Sequence, residues 1–424
     1  MAGTGRLSAD QQAVLDAVVA RVPRGRVVVA LSGGGDSAAL AWAVCEAGLP
    51  AIAVTVDHGL DVSPPLVAAA TQIAARLGME HRVVRVLPSS PAEADLRAAR
   101  LAALERAEPG VTILTGHTAD DQAETVLGNL LRGAGPTGLA GIPERRGRWL
   151  RPLLGISRET ARAAATAAGL PFSDDPSNRD TAIRRNRLRH ETLPALEASY
   201  NPALRATLAR TARLVAADDA LIERRAAGVP VRPVGDSILI PAAALETLPP
   251  PVAARVVRRA LRMAHDPYPG DADDVAAVIA AVSGTTGQLG GALLAEREGP
   301  WVAIHPAVEP EPPAAVPLPV PGAVSFGRWR IASGAPAPGL GRLGATVSGD
   351  HLVVRAAAAG DRIAFAGGAK KVFDALAEAG VPRRRRPQWP VVESDGMIVW
   401  LVGVRAAPAR GSGRVALSAH EERM

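Results

Sequence analysis

The run Leu31-Ser32-Gly33-Gly34-Gly35-Asp36-Ser37 holds the clearest chemistry in the chain. It follows an apolar, β-branched stretch (residues 26–31) and precedes an Ala-rich stretch that reads as a helix, so it joins a buried strand to a helix N-terminus. Three glycines let the backbone approach an anion closely. The helix start offers unpaired N–H groups, and the hydroxyls of Ser32 and Ser37 add donors. Ser32, Gly33, Gly34, Gly35, Asp36 and Ser37 therefore form a candidate phosphate cradle. The bland alternative is a turn whose Asp and Ser merely cap a helix. The loop is not a Walker A motif, which needs a lysine: Lys370 and Lys371 are the only lysines, so 46 of the 48 basic residues are arginine. A GxGxxG fingerprint is also absent. Asp36 offers the carboxylate oxygen that a hard cation such as Mg2+ prefers, which makes it the candidate metal ligand.

Two further clusters lie where strands should end. Asp57 and His58 close the second strand and are candidates for contact with a nucleotide's base or ribose, although both types also form turns. Thr115-Gly116-His117-Thr118-Ala119-Asp120-Asp121-Gln122-Ala123-Glu124 again follows a strand and opens a helix. His117 joins the nucleotide-binding set. Asp121 and Glu124, three apart, project from one helix face and form a pair able to hold an ammonium group and help an amine shed its proton. Acidic residues also stabilise helix N-termini with no catalytic part.

The elements that must position these residues alternate short β-branched runs with helical stretches. That pattern predicts an α/β domain with a doubly wound parallel sheet and ligands at the carboxyl ends of its strands. Residues 1–215 are assigned to this domain, which carries the candidate phosphate cradle. A mainly helical domain is expected over 216–305, with a short β interruption at 236–242. Residues 306–335, opening with the proline-rich PAVEPEPPAAVPLPVPG, read as an extended linker. A small α+β domain is expected over 336–424.

A length of 424 residues suits two or three such domains, and 48% hydrophobic with 21% charged residues is the balance of a soluble protein. A net charge of +6 favours a polyanionic partner, while an aromatic share of 3% argues against binding through stacked rings. The single Cys45 excludes an internal disulfide, a CxxC pair or a zinc cluster. The first 20 residues lack a signal-peptide apolar region, and the longest strongly apolar run, 397–404, is far too short to span a bilayer. A cytoplasmic location without membrane contact is expected.

SGGxDS after a strand resembles the PP-loop of the ATP pyrophosphatases, which hold the β and γ phosphates so that attack falls on the α phosphorus. GHTADDQAET with LLRGAGPTGLAGI is similar to the second signature of the tRNA(Ile)-lysidine synthetase family. The likeness continues through the helix from Glu93 to Arg100 with Arg97 and Arg100, through Arg151-Pro152-Leu153-Leu154, and through Asp174 to Asp180 followed by Arg185-Asn186-Arg187-Leu188-Arg189-His190. Gly360-Asp361-Arg362, Lys370-Lys371, Val381-Pro382 and Trp400 to Arg405 extend it to the last domain. Thr118 and Leu101 depart from it, standing where a histidine and an aromatic residue are frequent.

The resemblance implies that the wobble cytidine (position 34) of a CAU-anticodon tRNA(Ile) attacks ATP through O2 and releases pyrophosphate. The ε-amine of free L-lysine then replaces AMP at C2. The substrates and cofactors implied are ATP, Mg2+, lysine and that tRNA. ATP binding and catalysis are implied for residues 1–215, and tRNA binding for 216–305 and 336–424. Asp36, Asp121, Glu124, Arg97, Arg100, Arg185 and Arg189 are its candidate catalytic residues, the arginines neutralising phosphate charge. Arg184, Arg185, Arg187 and Arg189, and the run from Arg383 to Arg386, are candidate RNA contacts, the alternative being solvated faces. A tRNA thiolase with the same loop would call for more cysteines. A non-catalytic RNA-binding protein would have no use for the two serines and three carboxylates.

Overall fold

The computed structural model describes residues 6–59, 63–86, 93–266, 268, 270–308, 311–334, 343–349, 351–365, 367–408 and 414–421. The chain divides into two compact units, residues 1–221 and 222–424.

The first unit begins with helix α1 (Ala9–Arg21) and continues β1 (Val27–Ala30), α2 (Gly35–Glu46), β2 (Ala51–Asp57), α3 (Ser63–Leu77), β3 (Glu80–Arg85), α4 (Glu93–Ala107), β4 (Thr112–Leu114) and α5 (Ala119–Leu130). A short hairpin, β5 (Arg145–Arg146) and β6 (Trp149–Leu150), completes the sheet, in the order β3-β2-β1-β4-β6-β5. All neighbours are parallel except β5 with β6. Because side chains alternate across a strand, Val27 and Val29 enter one core with the small-residue helix α2, while Val28 enters another with Ile52, Val54, Leu104 and Ile113. Cores on both faces bear out the doubly wound fold. They also leave the carboxyl ends of β1, β2, β4 and β6 as the place where Ser32, His58, His117 and Arg151 emerge.

The second unit contains the expected helices, Ala242–Thr247, Pro250–Ala264 and Ala272–Ala280. It also contains more sheet than the helical reading anticipated. Strands Arg232–Val234, Ser237–Pro241, Trp301–Pro306, Leu293–Glu298 and Gly287–Leu289 form an antiparallel five-stranded sheet in that order. Leu293–Glu298 has the composition of a helix, yet the turn at Gly299 (φ +57°) folds it onto Trp301–Pro306, and cross-strand burial overrides local preference.

The stretch read as a linker is likewise structured. Val316–Leu318 pairs with Leu352–Ala356 at the edge of a seven-stranded sheet, and Gly322–Phe326 pairs with Trp329–Ser333 in a four-stranded one. Proline is compatible with an edge strand because its missing N–H leaves no ladder bond unmade. The remaining described C-terminal elements are strands, antiparallel except where Arg362–Phe365 runs parallel to Met397–Leu401, with one α-helix, Val372–Glu378, and a 3-10 turn, Arg383–Gln388. Among the described residues no helix is long and apolar enough to cross a membrane.

Candidate active site

The glycine loop closes on itself. Ser37 Oγ donates to the Gly34 carbonyl (2.8 Å) and accepts from the Ser32 N–H (3.2 Å), with Ser32 Oγ 3.1 Å away. Gly33 has φ +85°, and a Cβ there would stand 2.2 Å from the Leu66 carbonyl oxygen, so neither conformation nor space admits a side chain. The second motif is pressed against the same point: a Cβ on Gly116 would lie 2.8 Å from the Asp36 carbonyl oxygen. The two segments, eighty residues apart in the chain, therefore form one site at the N-termini of α2 and α5.

Asp36 sits at their junction. Its Oδ2 accepts from Arg158 Nε at 3.3 Å, whereas Oδ1 is buried with no partner among the described residues. Burial raises its pKa to about 6; the Arg158 charge opposes this and the Asp121 charge adds to it. A buried carboxylate oxygen without a donor suits a cation. Among the described residues no group of three or more acidic, histidine or cysteine side chains could hold a metal by itself. A single carboxylate fits an ion such as Mg2+, which takes most of its ligands from phosphate and water.

Asp121 and Glu124 do share a face of α5, and three arginines already occupy them. Asp121 Oδ1 accepts from Arg158 (2.8 Å), Arg185 (2.9 Å) and Arg189 (3.5 Å). Glu124, 2% exposed, accepts from Arg189 Nε (2.6 Å), Arg185 Nε (2.9 Å) and Arg158 Nη1 (3.3 Å). Burial works against both charges, but the arginines outweigh it and hold both carboxyls below their usual range. Neither is therefore a ready proton acceptor at neutral pH, contrary to the role read for them in amine deprotonation, and an ammonium must compete with guanidiniums to reach them. The other Asp121 oxygen, Oδ2, accepts from the Thr118 N–H (2.8 Å) and hydroxyl (3.1 Å). Thr118 thus serves as the cap of α5.

Arg185, its side chain 41% exposed, and Arg189, at 17%, are thus already paired with carboxylates of α5. They are carried on a short helix, Arg184–Arg187, that passes into a π-helical turn, Leu188–Thr192. Buried Asn186 ties this segment down by donating to the Ser177 and Asp180 carbonyls, both at 2.9 Å. Arg184 is exposed, and Arg187 donates to the backbone of Thr181 and Ala182. In the second cluster Arg384 pairs with Glu298 and Asp236, and Arg385 with Glu421, so that run is partly spent within its own unit.

Arg97 and Arg100 lie exposed on α4 and, among the described residues, pair with no carboxylate. Asp57 Oδ1 accepts from the Gly59 N–H at 2.8 Å, the turn-forming role. His58 has a buried Nδ1 without a partner among the described residues, and burial, then the Arg100 charge, holds its pKa down. His117 shares a 2.8 Å hydrogen bond with Thr115 Oγ1, and burial lowers its pKa to about 4, so its ring is neutral at pH 7.

Sequence reasoning missed Arg158, which touches Asp36, Asp121 and Glu124 at once. A faint signal exists: it is the first residue of helix Arg158–Ala167, capped by Ser157, where the helix dipole disfavours a cation. Asp120 offsets this by accepting from the Arg158 N–H at 2.8 Å.

Residues 7–196 match the family model of the PP-loop domain, and residues 352–417 that of the TilS substrate C-terminal domain. The chain is 42% identical to the tRNA(Ile)-lysidine synthase of Salinispora tropica over 332 residues, 72% of this chain and 98% of that one. It is 36% identical to that of Thermus thermophilus over 414 residues, 94% of this chain and 73% of that one. Among solved structures it is similar to that of a TILS C-terminal domain (29% identity, 26% of this chain and 100% of that one, TM-score 0.22). It is also similar to NMN synthetase from Francisella tularensis (15% identity, 49% of this chain and 94% of that one, TM-score 0.31).

Proposed function

The chain belongs to the tRNA(Ile)-lysidine synthase family, and from that premise we propose that it joins free L-lysine to C2 of the wobble cytidine of CAU-anticodon tRNA(Ile), a carbon–nitrogen ligation that consumes ATP. The cytidine O2 attacks the α phosphorus and pyrophosphate leaves. The lysine ammonium gives a proton to water, the free ε-amine attacks C2 of the adenylated base, the C2–O2 bond breaks so that AMP leaves carrying that oxygen, and the new nitrogen's surplus proton passes to water.

The observation that carries this reading is the apposition of the glycine loop and the second motif at Gly116, with the unpartnered Asp36 oxygen between them. The loop's N–H groups and the two serine hydroxyls bind the β and γ phosphates, leaving the α phosphorus at the open edge. Asp36 would hold Mg2+, which supplies charge neutralisation on the departing pyrophosphate when bound. Arg97 and Arg100, with no carboxylate pair among the described residues, neutralise charge that develops on the α phosphate. His58 and His117, both uncharged at neutral pH, line the nucleotide without adding cations. The lysine ammonium takes the place of one guanidinium at Asp121 and Glu124; Arg185, 41% exposed against 17% for both Arg158 and Arg189, is the one with room to withdraw.

Asp36→Ala tests the loop assignment through tRNA-dependent pyrophosphate release. A fall of about 100-fold or more is expected, the scale of losing a preorganised charge contact. Release at the wild-type rate would remove the loop from the chemistry.

A further inference from the structure

Arg151 is a buried cation with no counter-ion among the described residues. Its residue exposure is 8%, Nη1 donates to the Pro143 carbonyl at 2.8 Å, and Nε is buried with no partner. Among the described residues it enters no ion pair. It directly follows β6, and the Thr115 N–H donates to the Leu150 carbonyl (3.0 Å), so Arg151 emerges at the same sheet edge as Thr115 and His117. The surroundings are cationic as well. Arg97 and Arg146 bear on Arg151, and Arg151, Arg185 and Arg100 on His117. Of these arginines, only Arg185 is neutralised by carboxylates among the described residues. A desolvated guanidinium with an idle N–H is unfavourable unless an anion completes it, and its planar fork matches phosphate oxygens. The Pro143 contact uses one donor and leaves the rest.

We infer that Arg151, with Arg97 beside it and Arg100 close to His117 at the same edge, forms a phosphate-binding tray at the carboxyl edge of β4 and β6, distinct from the glycine loop at the end of β1. The phosphate belongs either to the tRNA backbone next to the reacting base or to the nucleotide. The choice of probes rests on the functional reading above.

The test uses the full-length protein and its Arg151→Met and Arg151→Lys variants. Affinity for a CAU tRNA(Ile) transcript is measured over a salt series, and KM for ATP is measured by pyrophosphate release at saturating tRNA. Arg151→Met should weaken one of the two by about tenfold or more, the scale of a lost charged hydrogen bond, with the lysine variant recovering part of it. Weaker RNA binding with a salt slope reduced by about one assigns the tray to the RNA backbone. A raised KM for ATP with an unchanged slope assigns it to the nucleotide.

Wild-type values for both in a folded Arg151→Met protein overturn the tray and leave Arg151 an anchor for Pro143. Should that variant not fold, the Arg97→Met/Arg100→Met double variant, at two exposed positions, must show the same loss, and normal values there overturn the tray instead. A wild type that bound neither polyanion would overturn tray and function together.

Discussion

Replacing Asp36 by asparagine should stabilise the unliganded N-terminal unit while abolishing its chemistry. Burial holds the Asp36 pKa at about 6 instead of 3.8, even with Arg158 opposing. A shift of that size corresponds to a penalty on the order of 3 kcal/mol for the ionised side chain. The folded state binds the extra proton between these two pKa values, so the penalty is absent below pH 3.8, grows through the window and is complete above about pH 6. Asparagine keeps the shape and removes the charge, so its advantage follows the same curve. For a unit of this size, 3 kcal/mol is roughly a 6–12 °C rise in unfolding midpoint. Thermal melts of both proteins at about pH 5 and about pH 7.5, without nucleotide or divalent ions, give the comparison. The variant should lead at the higher pH and lose part of that lead at the lower. Adding Mg2+ and ATP should then stabilise the wild type more than the variant. A variant no more stable than wild type at the higher pH, or a lead independent of pH, would refute the view that Asp36 is held in a costly ionised state awaiting a cation.

Other expectations follow from the same geometry. Arg158→Met removes the charge that lowers the Asp36 pKa, so the acid limb of pyrophosphate release should move to higher pH; an unmoved limb would separate the two residues. Glu124→Gln strips the carboxylate charge shared by Arg185, Arg189 and Arg158 at a buried position and should cost about 3–5 kcal/mol in denaturant unfolding, the usual scale for breaking a buried pair; a loss under about 1 kcal/mol would mean the cluster is solvated. Gly116→Ala puts a methyl 2.8 Å from the Asp36 carbonyl oxygen and should abolish stabilisation by ATP, seen in melts with and without nucleotide. His117, with its pKa lowered to about 4, should show no imidazole titration by NMR between about pH 5.5 and 8.

What the sequence made legible was local. The glycine loop, each strand of the first sheet and the α5 carboxylate pair are contained within a dozen residues, where spacing alone fixes which face a side chain takes. What it hid was set by distance along the chain. Arg158 meets Asp36 across 122 positions and Glu124 across 34, and no periodicity encodes such a pairing. For the same reason nothing in the arginine-rich run that carries Arg185 and Arg189 announced the carboxylates they hold. In the second unit, Leu293–Glu298 is made of good helix formers and becomes a strand through its partner Trp301–Pro306. The prolines over 306–335 were read by composition as a connector, whereas edge positions in two sheets accommodate part of that stretch as strands.

The most direct test of the central claim is incubation of the purified protein with ATP, Mg2+, radiolabelled lysine and a tRNA(Ile) transcript bearing CAU, beside a UAU control. Lysidine formation requires label in the CAU transcript alone, dependent on ATP and lost in Asp36→Ala. Label in both transcripts, or in neither while ATP is still bound, would contradict it and leave a PP-loop enzyme acting on a different acceptor.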